Sequence, residues 1–565
     1  MHLSYVHGAS AEPLLGKTIG VALDDAARTW PDFLALSCRA TGVRLTWSEL
    51  ACRANNLAAG LLSMGIAPGD RIGLWAMNRA EWIIAQFATA KAGLVLVTIN
   101  PAYRLSELRH VFDTVDCAAL ILGPPFKDSD YAAMLAEAAP DIERCAPGDA
   151  FAATWPTLKL IIQFGEGRRL AGAVDFEDIE KRGVACGHTV LARVAAEVQF
   201  DAPVNIQFTS GTTGAPKGVV LSHASILNNG HFTGRAMRLG AGDRLCLPVP
   251  LYHCFGMVTG SLLCLAHGVA IVLPGPGFDP LATLQALAEE RCTALYGVPT
   301  MFIAMLGHPR FREFDLAALR TGVMAGALCP IDLMRRVMTD MHMNEITICY
   351  GMTESPVSFQ TAVDLAIERR ISTVGNIQPH IEAKLIDEEG RIVPRGAIGE
   401  ICTRGYSTML GYWNDQDATA ATKDVAGWVH TGDLGTLDPR GDLRIVGRIK
   451  DMVIRGGENL YPKEIEEFLH AHPAIRDVQV FGIPDPKFGE ELCAWIIPNE
   501  PAGLDEDELR RHCMAAISRQ KVPKHFALVD AFPMTVTGKV LKSTLRAGMC
   551  ARLGIDPDTG EPLPG

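Results

Sequence analysis

At 565 residues, the chain is too long for one hydrophobic core and suits a large region plus a smaller one. It has 48% apolar and 21% charged residues, an ordinary globular composition, and its formal charge of -12 without a long basic run excludes a general nucleic-acid binder. Fifteen cysteines run from Cys38 to Cys550 with no C-x-x-C pair, so no disulfide or metal framework follows and a reducing cytoplasm is expected. No apolar run reaches bilayer-spanning length, and Met1–Gly8 lacks the basic and apolar regions of a secretion signal. Peripheral membrane contact is compatible with this composition.

The first half alternates helix and strand signals. Thr46 and Glu49 have the spacing of a capping box, ahead of Leu50, Ala54, Leu57 and Leu61 on one helical face. Arg71–Trp75 predicts a strand, Glu81–Ala90 a helix, and Leu94–Thr98 and Ala118–Leu122 further strands. Such alternation argues for parallel α/β layers. The segment 145–200, rich in Gly, Ala and charge, predicts a looser excursion on the surface.

Next comes the most informative stretch: Thr209, Ser210, Gly211, Thr212, Thr213, Gly214, Ala215, Pro216, Lys217 and Gly218. Its glycines permit tight turns that bring N–H groups to an anion, and its hydroxyls and lysine add donors. The flanks Val204–Phe208 and Gly218–Leu221 predict short strands, so the loop joins strand to strand. A P-loop instead runs from strand into helix as G-x-x-x-x-G-K-[ST]; here Pro216 replaces the second glycine and Gly218 the Ser/Thr. On its own residues the stretch is either a phosphate loop of another kind or a plain turn.

The tail predicts a compact α+β unit. Lys463–His472 forms an amphipathic helix with Ile465, Phe468 and Leu469 on one side, Val478–Phe481 and Leu492–Ile496 are strands, and Asp505–Arg519 is a helix.

Four further segments follow the loop in order: Tyr350, Gly351, Met352, Thr353 and Glu354; Thr431, Gly432 and Asp433; Gly447–Asp451 through Arg455–Asn459; and Pro533–Lys539. With the loop, they resemble the adenylate-forming superfamily of acyl-CoA synthetases, peptide-synthetase adenylation domains and luciferases. The resemblance runs over nearly the whole chain and is greatest to acyl-CoA synthetases that activate fatty acids. It implies an α/β fold, with a large multi-layered N-terminal domain of α/β subdomains (1–449) and a small mobile α+β C-terminal domain (450–565).

The implied chemistry is ATP-dependent. A carboxylate is a poor acyl donor because its leaving group would be oxide; attack on the α-phosphate of ATP yields an acyl-adenylate and pyrophosphate. An anion must approach a polyanion, so the site needs N–H donors, a metal and a cation. The resemblance assigns Thr209–Lys217 to the β- and γ-phosphates, Thr353 to phosphate and Glu354 to Mg²⁺, for which hard carboxylate oxygen is suited. It assigns Asp433 and Arg448 to the ribose, and Gly326 and Ala327, with Tyr350 and Gly351, to the adenine and acyl pocket. Lys539 bridges carboxylate and α-phosphate in the first step.

For the second step, attack by a CoA thiol, the small domain of the family rotates about a hinge at Lys450. Many relatives have aspartate there, and lysine also occurs. Gly456, Gly457 and Glu458 would then lie on the newly presented face and let the pantetheine arm pass. His253, within Pro250–Gly256, falls at the acyl channel, where it orders the carboxylate or gates the pocket; packed core is the competing reading. Met257, Thr300, Met301 and Cys329 are candidate pocket residues, and the apolar surroundings favour a medium-chain or longer fatty acid, with aryl acids second.

The expected activity is therefore that of an acyl-CoA ligase using ATP, Mg²⁺ and coenzyme A in lipid metabolism. The nearest rival is an adenylation enzyme loading an acid onto a separate carrier protein; Leu553–Asp556 is followed by Pro557, not by a carrier serine. A luciferase-like oxidation comes third. An inactive nucleotide-binding scaffold would have lost Lys539 or Glu354, and both are present.

Overall fold

The computed structural model describes residues 2–150, 153–209, 215–326, 329–499, 504–534 and 540–563. Two large sheets dominate the first 450 residues. In the eight-stranded one, Pro203–Thr209, Val95–Ile99, Arg71–Trp75, Ala119–Leu122, Leu160–Gln163 and Ala173–Asp175 run in parallel, and the hairpin partner Lys217–Ser222 and Gly411–Tyr412 add an antiparallel edge. The nine-stranded sheet is parallel from Leu34–Cys38 through Ala270–Leu273, Arg244–Cys246, Ala294–Gly297 and Thr321–Met324 to Glu345–Met352, and antiparallel at both ends. The parallel α/β layers expected from the alternating signals are present.

Helices fill the space around these sheets. Helix Ala80–Lys91 buries all its residues except Glu81, the pattern of a helix enclosed on every side. Helix Trp47–Ser63 begins with the expected capping box between Thr46 and Glu49, and Leu50, Ala54, Leu57 and Leu61 are fully buried.

The segment 145–200 corrects the expectation of a loose excursion. It contributes two parallel strands to the sheet, Leu160–Gln163 and Ala173–Asp175, and the helices Phe176–Cys186 and Thr189–Glu197. Its small residues serve close packing. A Cβ on Gly183 would lie 1.8 Å from the carbonyl oxygen of Asn56, and one on Gly60 2.1 Å from that of Ile179, so these two helices touch backbone to backbone.

A third, antiparallel sheet carries Tyr5–His7, Ile381–Ile386, Gly399–Gly405, Val429–Leu437 and Leu443–Arg448 in that order. Beyond it the tail has its own sheet, in which Ile475–Asp485 and Gly489–Pro498 form a long hairpin joined by Val453–Arg455, Glu458–Leu460 and His525–Leu528. Helices Pro462–His470 and Glu506–Ala516 accompany it, and Val453, Ile465, Leu469, Val480, Leu492 and Leu509 share a separate core. Among the described residues no helix is long and apolar enough to cross a membrane.

Candidate active site

The third sheet, the rims of the two large sheets and the tail surround one open cleft of about 2460 Å³. Typical single-ligand pockets are about 300–1,000 Å³, so this cleft has room for more than one small molecule.

The strand–loop–strand reading of 204–221 is correct: Pro203–Thr209 and Lys217–Ser222 pair antiparallel with Thr209 opposite Lys217. Ser210, Gly211, Thr212, Thr213 and Gly214 lie outside the described residues. Thr209, Ala215 and Lys217 line the cleft. Pro216 does not; its carbonyl accepts from His110 Nε2 at 2.7 Å and ties the loop to helix Leu105–Val115.

Lys217 Nζ lies 5.1 Å from the ring centroid of Tyr412, a cation–π distance. The Tyr412 hydroxyl donates to Glu354 Oε1 at 2.6 Å, and burial, followed by the charge of Glu354, holds that hydroxyl well above the ordinary phenol range. Glu354 is only 6% exposed yet borders the cleft, at the turn between Glu345–Met352 and Ser355–Gln360. A carboxylate has about four lone-pair sites and Tyr412 uses one, so Glu354 retains capacity for a hard cation. Thr353 and Gly351 line the same wall; a Cβ at Gly351 would lie 2.1 Å from the Pro356 carbonyl oxygen, which explains the glycine.

Asp433 sits opposite Arg448 in the ladder between Val429–Leu437 and Leu443–Arg448. Its carboxylate accepts from the Tyr350 hydroxyl at 2.8 Å on Oδ2 and from Arg448 Nε at 3.1 Å on Oδ1. Burial, then the Asp433 charge, pushes the Tyr350 hydroxyl well up, so it remains a donor. The turn is held locally. Thr431 Oγ1 accepts the Asp433 N–H at 3.1 Å, and Gly432, at φ +69°, donates its N–H to Glu400 Oε1 at 3.1 Å.

His253, Gly326, Thr300, Met301 and Cys329 line the cleft, whereas Ala327 lies outside the described residues. His253 Nδ1 accepts the Phe255 N–H at 3.2 Å and caps the short helix Cys254–Gly256, leaving the ring proton on Nε2. Met257 corrects its expected place. It is 1% exposed, off the cleft wall, and its sulfur accepts from Gln207 Nε2 at 3.4 Å.

Lys450 borders the cleft in the turn Ile449–Asp451. Gly456 and Gly457, at φ +61° and +85°, make the tight turn between Val453–Arg455 and Glu458–Leu460, and with Glu458 they stand apart from the cleft wall. Lys539 lies outside the described residues.

Two cleft residues carried no sequence signal. Tyr412 is the partner of both Lys217 and Glu354, and nothing in its local sequence marks it. Lys463, on helix Pro462–His470, donates to the carbonyl of Ile445 at 2.9 Å and fastens the tail unit to the third sheet. Burial draws its ammonium below the ordinary lysine range. A lone lysine on a helix face reads as solvated surface.

The model of the AMP-binding enzyme family matches residues 23–413, and that of the AMP-binding enzyme C-terminal domain matches 464–539. A medium-chain acyl-CoA ligase of Danio rerio, named ACSF2 and mitochondrial, is 43% identical over 98% of this chain and 91% of its own length. Among solved structures, the anthranilate CoA ligase AuaEII in complex with anthranoyl-AMP is similar at 25% identity and a TM-score of 0.84, covering 96% of this chain and 99% of that one. ATP-bound MatB from Rhodopseudomonas palustris is similar at 28% identity and a TM-score of 0.78, covering 94% and 99%.

Proposed function

Because this chain belongs to the AMP-binding enzyme family and is an AMP-forming acyl-CoA ligase, we propose that its acid is a hydrophobic fatty acid of medium or longer chain and that its cleft residues divide two half-reactions. In the first, a carboxylate oxygen bonds to the α-phosphorus of ATP, and the bond to pyrophosphate breaks. In the second, the sulfur of CoA bonds to the acyl carbon, AMP leaves, and the thiol proton passes to solvent.

Thr209–Lys217 receives the β- and γ-phosphates, with Thr353 beside it. Mg²⁺, when bound, offsets the polyphosphate charge, and Glu354 holds it through the oxygen capacity that Tyr412 leaves. Asp433 accepts from the ribose hydroxyls, with Arg448 at the same sugar, and Tyr350, Gly351, Gly326 and Ala327 border the base. His253, which lines the cleft with Nδ1 accepting the Phe255 N–H, orders the acid's carboxylate. Lys539 supplies the cation of the first step. Lys450 is the hinge on which the tail turns, and Gly456, Gly457 and Glu458 then meet the pantetheine arm. The large domain ends at 449 and the mobile one occupies 450–565.

One observation carries most weight: Lys217, Glu354, Tyr350 and Asp433, from three separate segments, border one cleft, with Tyr412 linking Lys217 to Glu354 and a hydrogen bond joining Tyr350 to Asp433. The fatty acid is supported by the apolar wall of Val298, Met301 and Ile303, and by the similarity to the medium-chain acyl-CoA ligase of Danio rerio. Fifteen scattered cysteines without a C-x-x-C pair support a reducing compartment such as the cytoplasm.

The test is pyrophosphate release from ATP across acids from acetate to long-chain and aryl, each with and without CoA. Release that requires a fatty acid and multiplies with CoA is expected. Release confined to acetate or aryl acids would refute the proposed acid, and indifference to CoA would transfer the second step to a carrier protein.

A further inference from the structure

Below the Thr431–Asp433 turn, three unlike donors converge. Glu400 and Cys402 come from strand Gly399–Gly405, and His430 from its antiparallel neighbour, where Cys402 and His430 stand opposite each other. Their ligand atoms all lie within 4.8 Å of one another. Cys402 Sγ is 3.6 Å from His430 Nδ1, and Glu400 Oε2 is 3.1 Å from the same nitrogen.

A single proton on Nδ1 serves one neighbour at a time. If it bonds Glu400, the thiol faces an N–H instead of an acceptor; if the thiol donates to Nδ1, the carboxylate faces a lone pair. A cation satisfies all three. We infer that Glu400, Cys402 and His430 form a site for one zinc-class divalent cation, which clamps the two strands beneath the nucleotide-side turn.

The spacing suits that chemistry. Metal–ligand bonds of about 2.0–2.3 Å in a tetrahedron set neighbouring donors ~3.3–3.8 Å apart, close to the two distances observed. Thiolate, imidazole and carboxylate together favour zinc over Mg²⁺ or Ca²⁺. A second feature supports it: the other ring nitrogen, Nε2, faces the Asp424 carboxylate at 4.0 Å, as metal-bound histidines commonly face a carboxylate. On binding, a sulfur–metal bond forms and the thiol proton leaves to solvent, while Nδ1 gives its lone pair to the metal and the imidazole carries its one proton on Nε2 toward Asp424. Glu400 coordinates through Oε2 and keeps Oε1 on the Gly432 N–H. Glu400 and His430 border the cleft, which provides an entry path.

Co²⁺ is the probe, added to the full chain. One equivalent should produce thiolate-to-cobalt charge-transfer absorption and tetrahedral d–d bands, displaced by Zn²⁺ and untouched by Mg²⁺. Cys402→Ala should abolish the charge-transfer band, and His430→Asn should weaken Co²⁺ affinity at least tenfold. Zn²⁺ should also raise the thermal midpoint of the wild type and not that of Cys402→Ala. The inference is overturned if wild type shows no charge-transfer band, or if Cys402→Ala keeps it in full. Should Cys402→Ala fail to fold, unchanged Co²⁺ affinity in His430→Asn overturns it equally. None of these readouts depends on turnover.

Discussion

Asp433 has both carboxylate oxygens engaged, by Tyr350 on the buried side and Arg448 on the open side. The Arg448 side chain is 49% exposed, so its contribution to stability is small and it can turn toward a ligand at little cost. Asp433→Ala should therefore raise KM for ATP tenfold or more and leave KM for the acid unchanged. Tyr350→Phe, which removes one hydrogen bond to a charged group worth about 1.5–3 kcal/mol at most, should shift the same constant in the same direction by less. Initial rates with ATP and acid varied separately check both, and an unchanged KM for ATP in Asp433→Ala removes the ribose role. At this scale the convergence of Lys217, Tyr350, Glu354 and Asp433 on one cleft was legible from their motifs, because binding phosphate, metal and sugar would require such side-chain types. Tyr412 and Lys463 were not, since a tyrosine or lysine has no local mark of what it will touch.

At the scale of elements, the contact between helices Trp47–Ser63 and Phe176–Cys186 depends on two glycines. Gly183→Val would drive methyls into a backbone oxygen that cannot yield alone, and should cost about 3 kcal/mol, read as a lower urea midpoint at unchanged m-value. Another contact depends on charge. Helix Ile19–Thr29 donates the Ile19 N–H to His223 Nδ1 at 3.2 Å, and burial lowers His223 to about 4. The folded state thus excludes a proton that the unfolded chain binds near pH 6.5. Stability from this group is complete above about pH 6.5, is lost as pH falls from about 6.5 to 4, by about 3 kcal/mol in all, and levels off below. His223→Gln should flatten that part of the pH dependence of the urea midpoint; an identical profile would show that His223 does not titrate with unfolding.

The elements also show where sequence reading works. Leu50, Ala54, Leu57 and Leu61 were legible because a buried face repeats with the helical period. The segment 145–200 was misread because glycine and alanine have the same composition in a loose loop and in a tight helix contact. Met257 was misplaced for a related reason: an apolar residue beside a pocket motif faces the pocket or the core, and only the helix orientation decides.

For the whole molecule, the decisive question is whether one chain uses two faces of its tail. Lys539→Ala should abolish adenylate formation yet permit thioester formation from supplied acyl-adenylate. Lys450→Pro, which stiffens the turn Ile449–Asp451, should do the reverse, sparing pyrophosphate release and impairing thioester formation. Equal loss of both half-reactions in either variant would contradict the division. The Lys463 bond to Ile445 and the Arg444–Glu467 ion pair at 2.8 Å hold the tail in the arrangement described, and both must break if it turns.

Family, reaction class, helix caps and most strands were determined by the sequence alone, because they depend on residue type at short spacing. Only the tertiary structure decided that Tyr350 meets Asp433, that Tyr412 meets both Lys217 and Glu354, and that Glu400, Cys402 and His430 converge. Such meetings depend on strand order and register, which bring together residues far apart in the chain and leave no periodic trace in it.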